Sequence, residues 1–555
     1  MRILAFNITH DSSVCVINNG AIEFFCKEER LSRCKRDMHP FKSLELYRSL
    51  FSNKIDHILY HTPTDSHPDF ETIYRQYIRK QFGMPLENFS NLTHHLCHAS
   101  LAFYNSGFVE CLVVVIDRNG SVFFNGNTPV ASEAESIYQC SYPDNLQPLY
   151  KSFSSKNNNT SSIPDIKNKI QSYYPGTSIS IHNSLGIVKV YEAATTLINQ
   201  HPLENGKTMG LSAYGDDQVY DSLFNNGSPN ADYFSLLDTK HMKEVVAFQQ
   251  LSDRCVSTVT LDNYKFYANK AKHVQVETQK AALQLIKKGV ELTSIKNVCV
   301  VGGYGLNVVA NNYYIENLPD VNFYFEPLAD DTGVSIGAAM LKYRRETKDM
   351  AIRPLKDTFY HYYNQTETVD IGTASTISNL VDILISQKSL GIVDGAPEAG
   401  PRALGHRSIL FDPRNPDSKD IVNKIKKREW YRPFAGIILK DKIHNFFITN
   451  RIDDYSSMTV SLKATQLAKD TIPGIIHVDH TCRIQTVSSG FIFELLLEFY
   501  NRTGCPVLLN TSLNLASEPL VQTKQHVLDI ISNSDLDYVY FVNDNKLIKN
   551  EKTPK

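Results

Sequence analysis

The segment Thr93-His94-His95-Leu96-Cys97-His98-Ala99 carries two histidines four residues apart. On a helix that spacing puts both imidazoles on one face, where they can meet a single ion. His95 then points to another face and reads as a neighbour. Two carboxylates stand where elements are expected to meet: Asp117 after the apolar run Cys111 to Ile116, and Asp331 just before a helix beginning at Gly333. Open α/β folds expose ligands at strand ends. His94, His98, Asp117 and Asp331 make a mixed nitrogen and oxygen set. It suits Fe(II), with Mn(II) or Zn(II) as alternatives, and leaves coordination positions for a substrate.

A glycine loop, Val300-Val301-Gly302-Gly303-Tyr304-Gly305-Leu306-Asn307, follows a second apolar run. Glycines there let the backbone approach a nucleotide with N–H groups aimed at phosphate or ribose, so Gly302, Gly303 and Asn307 are candidate contacts. The same pattern also builds a tight strand-to-helix turn with no ligand. His10 and Asp11 lie on the first hairpin turn. They can orient or deprotonate a hydroxyl, although an Asx turn would use Asp11 equally well.

The last third of the chain interrupts its strands with polar segments: Glu398 to Ser408, Lys426 to Phe434, His477 to Arg483, and Asn510-Thr511-Ser512-Leu513-Asn514. Arg and Lys beside glycine turns and Ser/Asn clusters fit a phosphate together with a small planar polar group. Arginine offers a fork to such oxyanions and lysine a point charge. The run Lys424 to Arg428 also reads as a solvated basic face, and Trp430 as core.

The elements that must position these residues are alternating strands and helices. Strand, turn and strand are expected over residues 1–26, around Asn18-Asn19-Gly20, with further strands at Ile55 to Tyr60, Cys111 to Ile116 and Val122 to Phe124. Val298 to Val301, Asn322 to Phe325, Leu390 to Val393, Gly436 to Leu439, Pro506 to Leu509 and Tyr538 to Val542 complete the strand set. Helices are expected at Phe70 to Gly83, Gly333 to Arg345 and Lys524 to Ser532. Lys151 to Ile170, rich in Ser, Asn and Lys, reads as a surface loop or insertion. The fold class is α/β throughout, and no short repeat is visible. With 555 residues and 42% apolar residues, more than one core is required. The formal net charge of −2 gives no global case for a protein that coats DNA or membrane. Ten cysteines without a CxxC pair argue against a structural zinc site or a redox dithiol. Reduced thiols fit a cytoplasm, and no run is long enough to span a bilayer.

Taken in order, these segments resemble the carbamoyltransferase family of nodulation protein U, cephamycin carbamoyltransferase and the tobramycin enzyme TobZ. The resemblance runs through His10-Asp11-Ser12-Ser13, Glu28-Glu29-Arg30-Leu31-Ser32-Arg33, His94 to Ala99, Gly206-Lys207-Thr208-Met209-Gly210-Leu211, Gly302-Gly303 and Asp331-Thr332-Gly333. It continues through Gly400-Pro401-Arg402-Ala403-Leu404-Gly405, Arg428-Glu429-Trp430, His477-Val478-Asp479 and Asn510 to Asn514. It implies a duplicated actin-like (ASKHA) domain over 1–350, a linker at 351–372 and a YrdC-like α/β domain over 373–555. It implies that carbamoyl phosphate and ATP, with Mg2+, give carbamoyl adenylate in the second domain. The first domain then passes the carbamoyl group to an alcohol. By the same resemblance His94, His98, Asp117 and Asp331 hold the metal. Lys426, Arg432, Arg483, Asn510, Ser512 and Asn514 bind carbamoyl phosphate and ATP, Lys426 and Arg432 as catalytic groups, with Arg402 and Arg407 as further anion partners. The chain departs from the family where Arg118 and His480 replace a usual Gly and Gly305 a common Ala.

The expected activity is therefore O-carbamoyl transfer. The alternatives are a nucleotide-binding protein without turnover, and tRNA threonylcarbamoylation. The acceptor is a natural-product alcohol. Alternatively, because Asn-, Lys-, Ile- and Tyr-rich usage points to an AT-rich and so a viral or phage source, it is the hydroxymethyl group of a pyrimidine, free or in DNA. The place of action would then be the host cytoplasm. A DNA acceptor needs a basic groove, for which Arg30, Arg33, Lys35 and Arg36 are the candidates. A homo-oligomer is left open.

Overall fold

A computed structural model of the chain describes residues 1–552 except 53, 63–67, 88–91, 126–127, 156–162, 183–185, 199, 226–227, 230–258 and 453. The chain forms two compact units, Met1–Ser32 with Arg36–Lys356, and Arg33–Lys35 with Asp357–Lys555. Among the described residues no helix is long and apolar enough to cross a membrane.

The first unit holds two sheets of one connectivity. In the first, β1 (Arg2–Asn7), β2 (Ser13–Asn18) and β3 (Ala21–Lys27) run antiparallel, and β4 (His57–His61) returns parallel to β1, in the order β3-β2-β1-β4. The second repeats this scheme. It contains β5 (Glu110–Ile116), β6 (Val122–Asn125), β7 (Thr128–Ser141), β8 (Asn145–Ser155) and β9 (Ser178–His182). A short ribbon follows, β10 (Phe224–Asn225) with β11 (Ser228–Pro229), and then β12 (Asn297–Val301) and β13 (Asn322–Phe325). β5, β7 and β8 are antiparallel neighbours, and β12 returns parallel to β5. β5 and β12 are continuous apolar runs because both faces are covered: Cys111 to Ile116 and Val298 to Val301 are wholly buried.

Two helices, His94–Ser106 and Val334–Thr347, cross against each other, and the second also packs on β1 and β2. The crossing is close because Gly337 has no side chain. A Cβ there would stand 2.0 Å from the Cys97 carbonyl oxygen, and Ser100 Oγ donates to the Gly337 carbonyl at 2.8 Å. This approach carries the turn at Asp331 to the start of the histidine helix.

The second unit is one nine-stranded mixed sheet. Its strands are β14 (Leu390–Val393), β15 (Arg407–Phe411), β16 (Ala435–Leu439), β17 (Phe447–Ile448), β18 (Ser461–Ala464), β19 (Thr481–Val487), β20 (Val507–Ser512), β21 (Tyr538–Phe541) and β22 (Lys546–Lys549). The order is β17-β18-β19-β16-β20-β15-β14-β21-β22. Ala435 is opposite both Arg483 and Asn510, and Ser408 is opposite Ser512. Four central strands thus bring the polar segments to one end of the sheet.

The strands expected from sequence occur within a few residues of their places. The surface loop expected at Lys151 to Ile170 does not. Lys151 to Ser155 close β8, and Ile163–Tyr173 is a helix, while 156–162 lie outside the described residues. Lys151 is a buried ion-pair member (0% exposed), which composition cannot distinguish from a solvated lysine.

Gly337→Ala should cost about 2 kcal/mol or more by forcing the two helices apart. Gly206→Ala, in the helix Asn205–Ser212 with nothing within 4 Å of the new methyl, should stay within about 1 kcal/mol of the parent. Denaturant unfolding of the two variants side by side checks this.

Candidate functional site

The histidine helix starts at the centre of the first unit. Thr93 Oγ1 accepts from Leu96 N at 3.3 Å and Ser121 Oγ accepts from His94 N at 2.9 Å, so its first amides are satisfied without water. His94 and His98 share one face, with their Nε2 atoms 3.2 Å apart. Asp117, directly after β5, brings Oδ2 to 3.3 Å from His94 Nε2. Asp331, in a tight turn capped by Asp330, brings Oδ1 to 3.2 Å from His94 Nε2 and 3.5 Å from His98 Nε2. One ligand atom from each of the four lies within 4.8 Å of all the others, and all four residues are buried. An ion bound at about 2.1 Å holds neighbouring ligand atoms roughly 3 Å apart, so this donor set fits a small divalent metal.

Burial works against every charge in this cluster, and the partners overrule it. Burial opposes the proton on His94, yet the Asp331 and Asp117 carboxylates lift it to about 10. Burial opposes ionisation of Asp331 and Asp117, yet the imidazoles hold both below the usual carboxylate range. The site draws in positive charge, which protons and a metal ion would both supply.

Two neighbours were not evident from spacing. His61, at the end of β4, sets Nε2 3.1 Å from His94 Nδ1 and fixes that ring from behind. Burial, then the His94 charge, pushes its own basicity well down, so His61 stays neutral. Its only sequence signal is a polar residue ending the run Ile55 to Tyr60. Lys27 Nζ lies 2.5 Å from Asp11 Oδ1 and 3.5 Å from Glu29 Oε1. Asp11 Oδ2 is 3.2 Å from His10 Nε2, and His10 Nδ1 is 3.5 Å from Asp331 Oδ2. His10 and Asp11 therefore border the His/Asp cluster, backed by a buried lysine.

The glycine loop serves the same cluster. Gly302 has φ +88°, and a Cβ there would stand 2.4 Å from the Ile116 carbonyl oxygen. Gly303 N donates to Asp117 Oδ1 at 2.9 Å. Asn307 caps the helix Val308–Asn317 through Ala310 N at 3.1 Å and donates to Gln275 at 3.0 Å. Its side chain is thus engaged locally rather than turned to a ligand. Arg118 leans on Glu192, Nε to Oε1 2.6 Å.

In the second unit, Lys426 Nζ donates to both Ser512 and Asn514, reaching Asn514 O at 2.8 Å and Oδ1 at 3.0 Å. Burial, then Arg428, Arg432 and Lys35, push its pKa far below the usual lysine range. Arg483 has a buried Nε without a partner, and burial with Arg402 and Arg432 nearby lowers its pKa as well. Arg432 Nη1 lies 3.6 Å from Glu429 Oε2. Lys426, Arg428, Arg432 and Arg483 thus form a cation-rich cluster, with Glu429 and Glu518 among its acidic neighbours, of a kind that suits an oxyanion. Two expected members are used differently. Arg407 donates to the carbonyls of Asp394 (2.7 Å), His406 (2.9 Å) and Gly395 (3.0 Å), and Asn510 Nδ2 to that of Ala403 (2.9 Å). They pin the 398–407 loop and offer no free fork. Glu398, without a role in the sequence reading, accepts from Leu404 N (2.6 Å) and His406 N (3.0 Å) and shapes that loop. His480 stands at φ +62°, which accounts for a position that favours glycine.

The four residues expected to line a basic groove are divided between the two units. Arg30 is buried, Arg36 pairs with Glu204, and Arg33 donates to the carbonyls of Leu520 (2.8 Å) and Pro519 (2.9 Å) within the second unit, to which Lys35 also belongs.

Residues 70–340 match the family model described as Carbamoyltransferase N-terminus, and residues 381–549 the one described as Carbamoyltransferase C-terminus. The chain is 25% identical to nodulation protein NolNO of Sinorhizobium fredii, over 95% of this chain and 77% of that one. It is 34% identical over 230 residues to nodulation protein U of the same species, 40% of each chain. Among solved structures, HypF of T. kodakarensis superposes with a TM-score of 0.39 at 13% identity, over 63% of this chain and 49% of that one.

Glu326 ties the histidine helix to the Asp331 turn, accepting from Asn105 Nδ2 (3.1 Å), Tyr324 OH (3.1 Å) and Leu328 N (2.9 Å). Burial raises its pKa from 4.5 to about 7 despite these donors. A raised carboxyl pKa gives stability that is complete below 4.5 and is lost as pH climbs through 7. Between pH 4.5 and 8 the parent should lose up to about 3 kcal/mol that Glu326→Gln does not lose, measured by urea unfolding at each pH.

Proposed function

The chain belongs to the carbamoyltransferase family and is a carbamoyl-transferring enzyme, and from that premise we propose that it makes a carbamate ester in two stages from carbamoyl phosphate and ATP. One observation carries the reading: each unit gathers a buried charge cluster, carboxylates with imidazoles in the first and cations in the second.

The first unit, with its duplicated connectivity, is the actin-like part, and the second is the YrdC-like part. In the second, Lys426, Arg432 and Arg483, with Arg402, receive carbamoyl phosphate and the ATP phosphates, which arrive with Mg2+. Ser512 and Asn514 hold Lys426 in place. Water releases inorganic phosphate from carbamoyl phosphate and leaves carbamate. A carbamate oxygen then displaces pyrophosphate from the α-phosphorus of ATP, giving carbamoyl adenylate. The cations stabilise the charge that builds on the phosphate oxygens.

In the first unit the acceptor oxygen attacks the carbamoyl carbon, and AMP leaves with the electron pair of the broken C–O bond. His10, oriented by Asp11, takes the hydroxyl proton. His94, His98, Asp117 and Asp331 would hold Fe2+, or Mn2+ or Zn2+, whose chemistry is Lewis-acid stabilisation of charge on a carbonyl or phosphate oxygen. The glycine loop keeps Asp117 in place and lets the adenylate approach the backbone. The acceptor is an alcohol of a natural product or a hydroxymethylpyrimidine, free or in DNA, and the reaction belongs to a cytoplasm.

The two stages should separate by mutation. With ATP and carbamoyl phosphate the parent should release pyrophosphate, and Lys426→Met should lower that rate by about 100-fold or more. His94→Ala should keep pyrophosphate release and lose transfer to an alcohol panel, read by mass spectrometry for one added carbamoyl group. No pyrophosphate from the parent, with or without acceptors, overturns the proposal.

A further inference from the structure

Beside the metal cluster lies a buried ion pair for which the proposed chemistry has no use. Glu133 on β7 and Lys151 on β8 meet with both side chains fully buried. Lys151 Nζ also donates to Tyr138 OH at 2.8 Å and Ser136 Oγ at 3.3 Å, and lies 4.8 Å from the centre of the Tyr174 ring. A buried pair of this kind seldom stabilises a fold more than apolar side chains of the same volume. Its geometry shows what apolar side chains could not provide.

Glu133 grips the turn that follows Asp117. Its Oε2 accepts from Ser121 N at 3.0 Å. Its backbone pairs with the same turn, Gly120 N to Glu133 O at 2.8 Å and Glu133 N to Ser121 O at 3.1 Å. Gly120 lies so close that a Cβ would stand 2.5 Å from Glu133 Cβ and 2.7 Å from His95 Cδ2. Ser121 Oγ, thus fixed, accepts from His94 N at 2.9 Å. His95, on the far face of the same helix, is tied to Ser136 Oγ at 2.7 Å. The turn at one end carries the ligand Asp117 and at the other holds the amide of the ligand His94.

We infer that Lys151 and Glu133 are positioning residues of the metal centre, setting the separation of Asp117 and His94 through the turn 117–121. Lys151 keeps the Glu133 carboxylate charged and aimed, Glu133 fixes Ser121, and Ser121 fixes the first turn of the histidine helix. The inference rests on the reading that this cluster binds a divalent metal. Partners one step behind a ligand commonly carry about 10- to 100-fold in metal affinity.

The test is Mn2+ and Zn2+ binding by the metal-stripped full chain, measured by calorimetry alongside thermal unfolding. The double variant Glu133→Leu/Lys151→Met leaves no unpaired charge. It should unfold as cooperatively as the parent and bind both ions about 10- to 100-fold more weakly. Ser121→Ala breaks only the link to His94 and covers the case in which the double variant does not fold; it should weaken binding about 10-fold. A purely structural role would lower the unfolding temperature and leave the affinity of the folded chain unchanged. Parent-like affinity in the folded double variant or in Ser121→Ala overturns the positioning role. A parent that binds neither ion overturns the metal reading itself, and this inference with it.

Discussion

Two carboxylates and two imidazoles share a dry space a few ångströms across, and that arrangement needs a cation. Much of the first unit follows from holding it. The helix crossing at Gly337 brings Asp331 to the histidine helix, and the positive φ of Gly302 lets the loop reach Asp117. His61 backs His94, and the duplicated sheets place the ends of β1, β4, β5 and β12 around one point. Relaxing any of these contacts would leave an uncompensated charge rather than a mere gap, which is why small residues and short distances recur here.

The second unit solves the opposite problem. Lys426, Arg428, Arg432 and Arg483 repel one another, with Glu429 and Glu518 acting against that repulsion. Asn514 holds one member of it, accepting from Lys426 Nζ and from Ser512 Oγ. The proposed two-stage chemistry would use both clusters: the cations where phosphate leaves, and the His/Asp set, holding a metal, where charge develops on the transferred group.

The sequence made this site legible where chemistry depends on spacing. His94 and His98 share a helical face because four residues make about one turn. Asp117 and Asp331 stood out because they end elements. Arg407 and Asn510 donate to loop carbonyls, which the sequence could not show because a polar residue beside a glycine turn looks the same whether it faces ligand or loop backbone. Lys151 misled for a related reason: a lysine among serines and asparagines reads as solvated, and only the tertiary fold reveals Glu133 opposite it. His61 and Lys27 were silent because their partners lie 33 and 16 residues away. The continuous strands β5 and β12 were plain. β7 to β9 were not, since their polar positions answer to buried pairs rather than to alternation.

The most direct measurement is elemental analysis of the chain purified without oxygen, parent beside Asp331→Asn. The account predicts one equivalent of a divalent transition metal in the parent and almost none in the variant, both folded. A metal-free parent that still transfers carbamoyl groups, or a variant that keeps its metal, would contradict it.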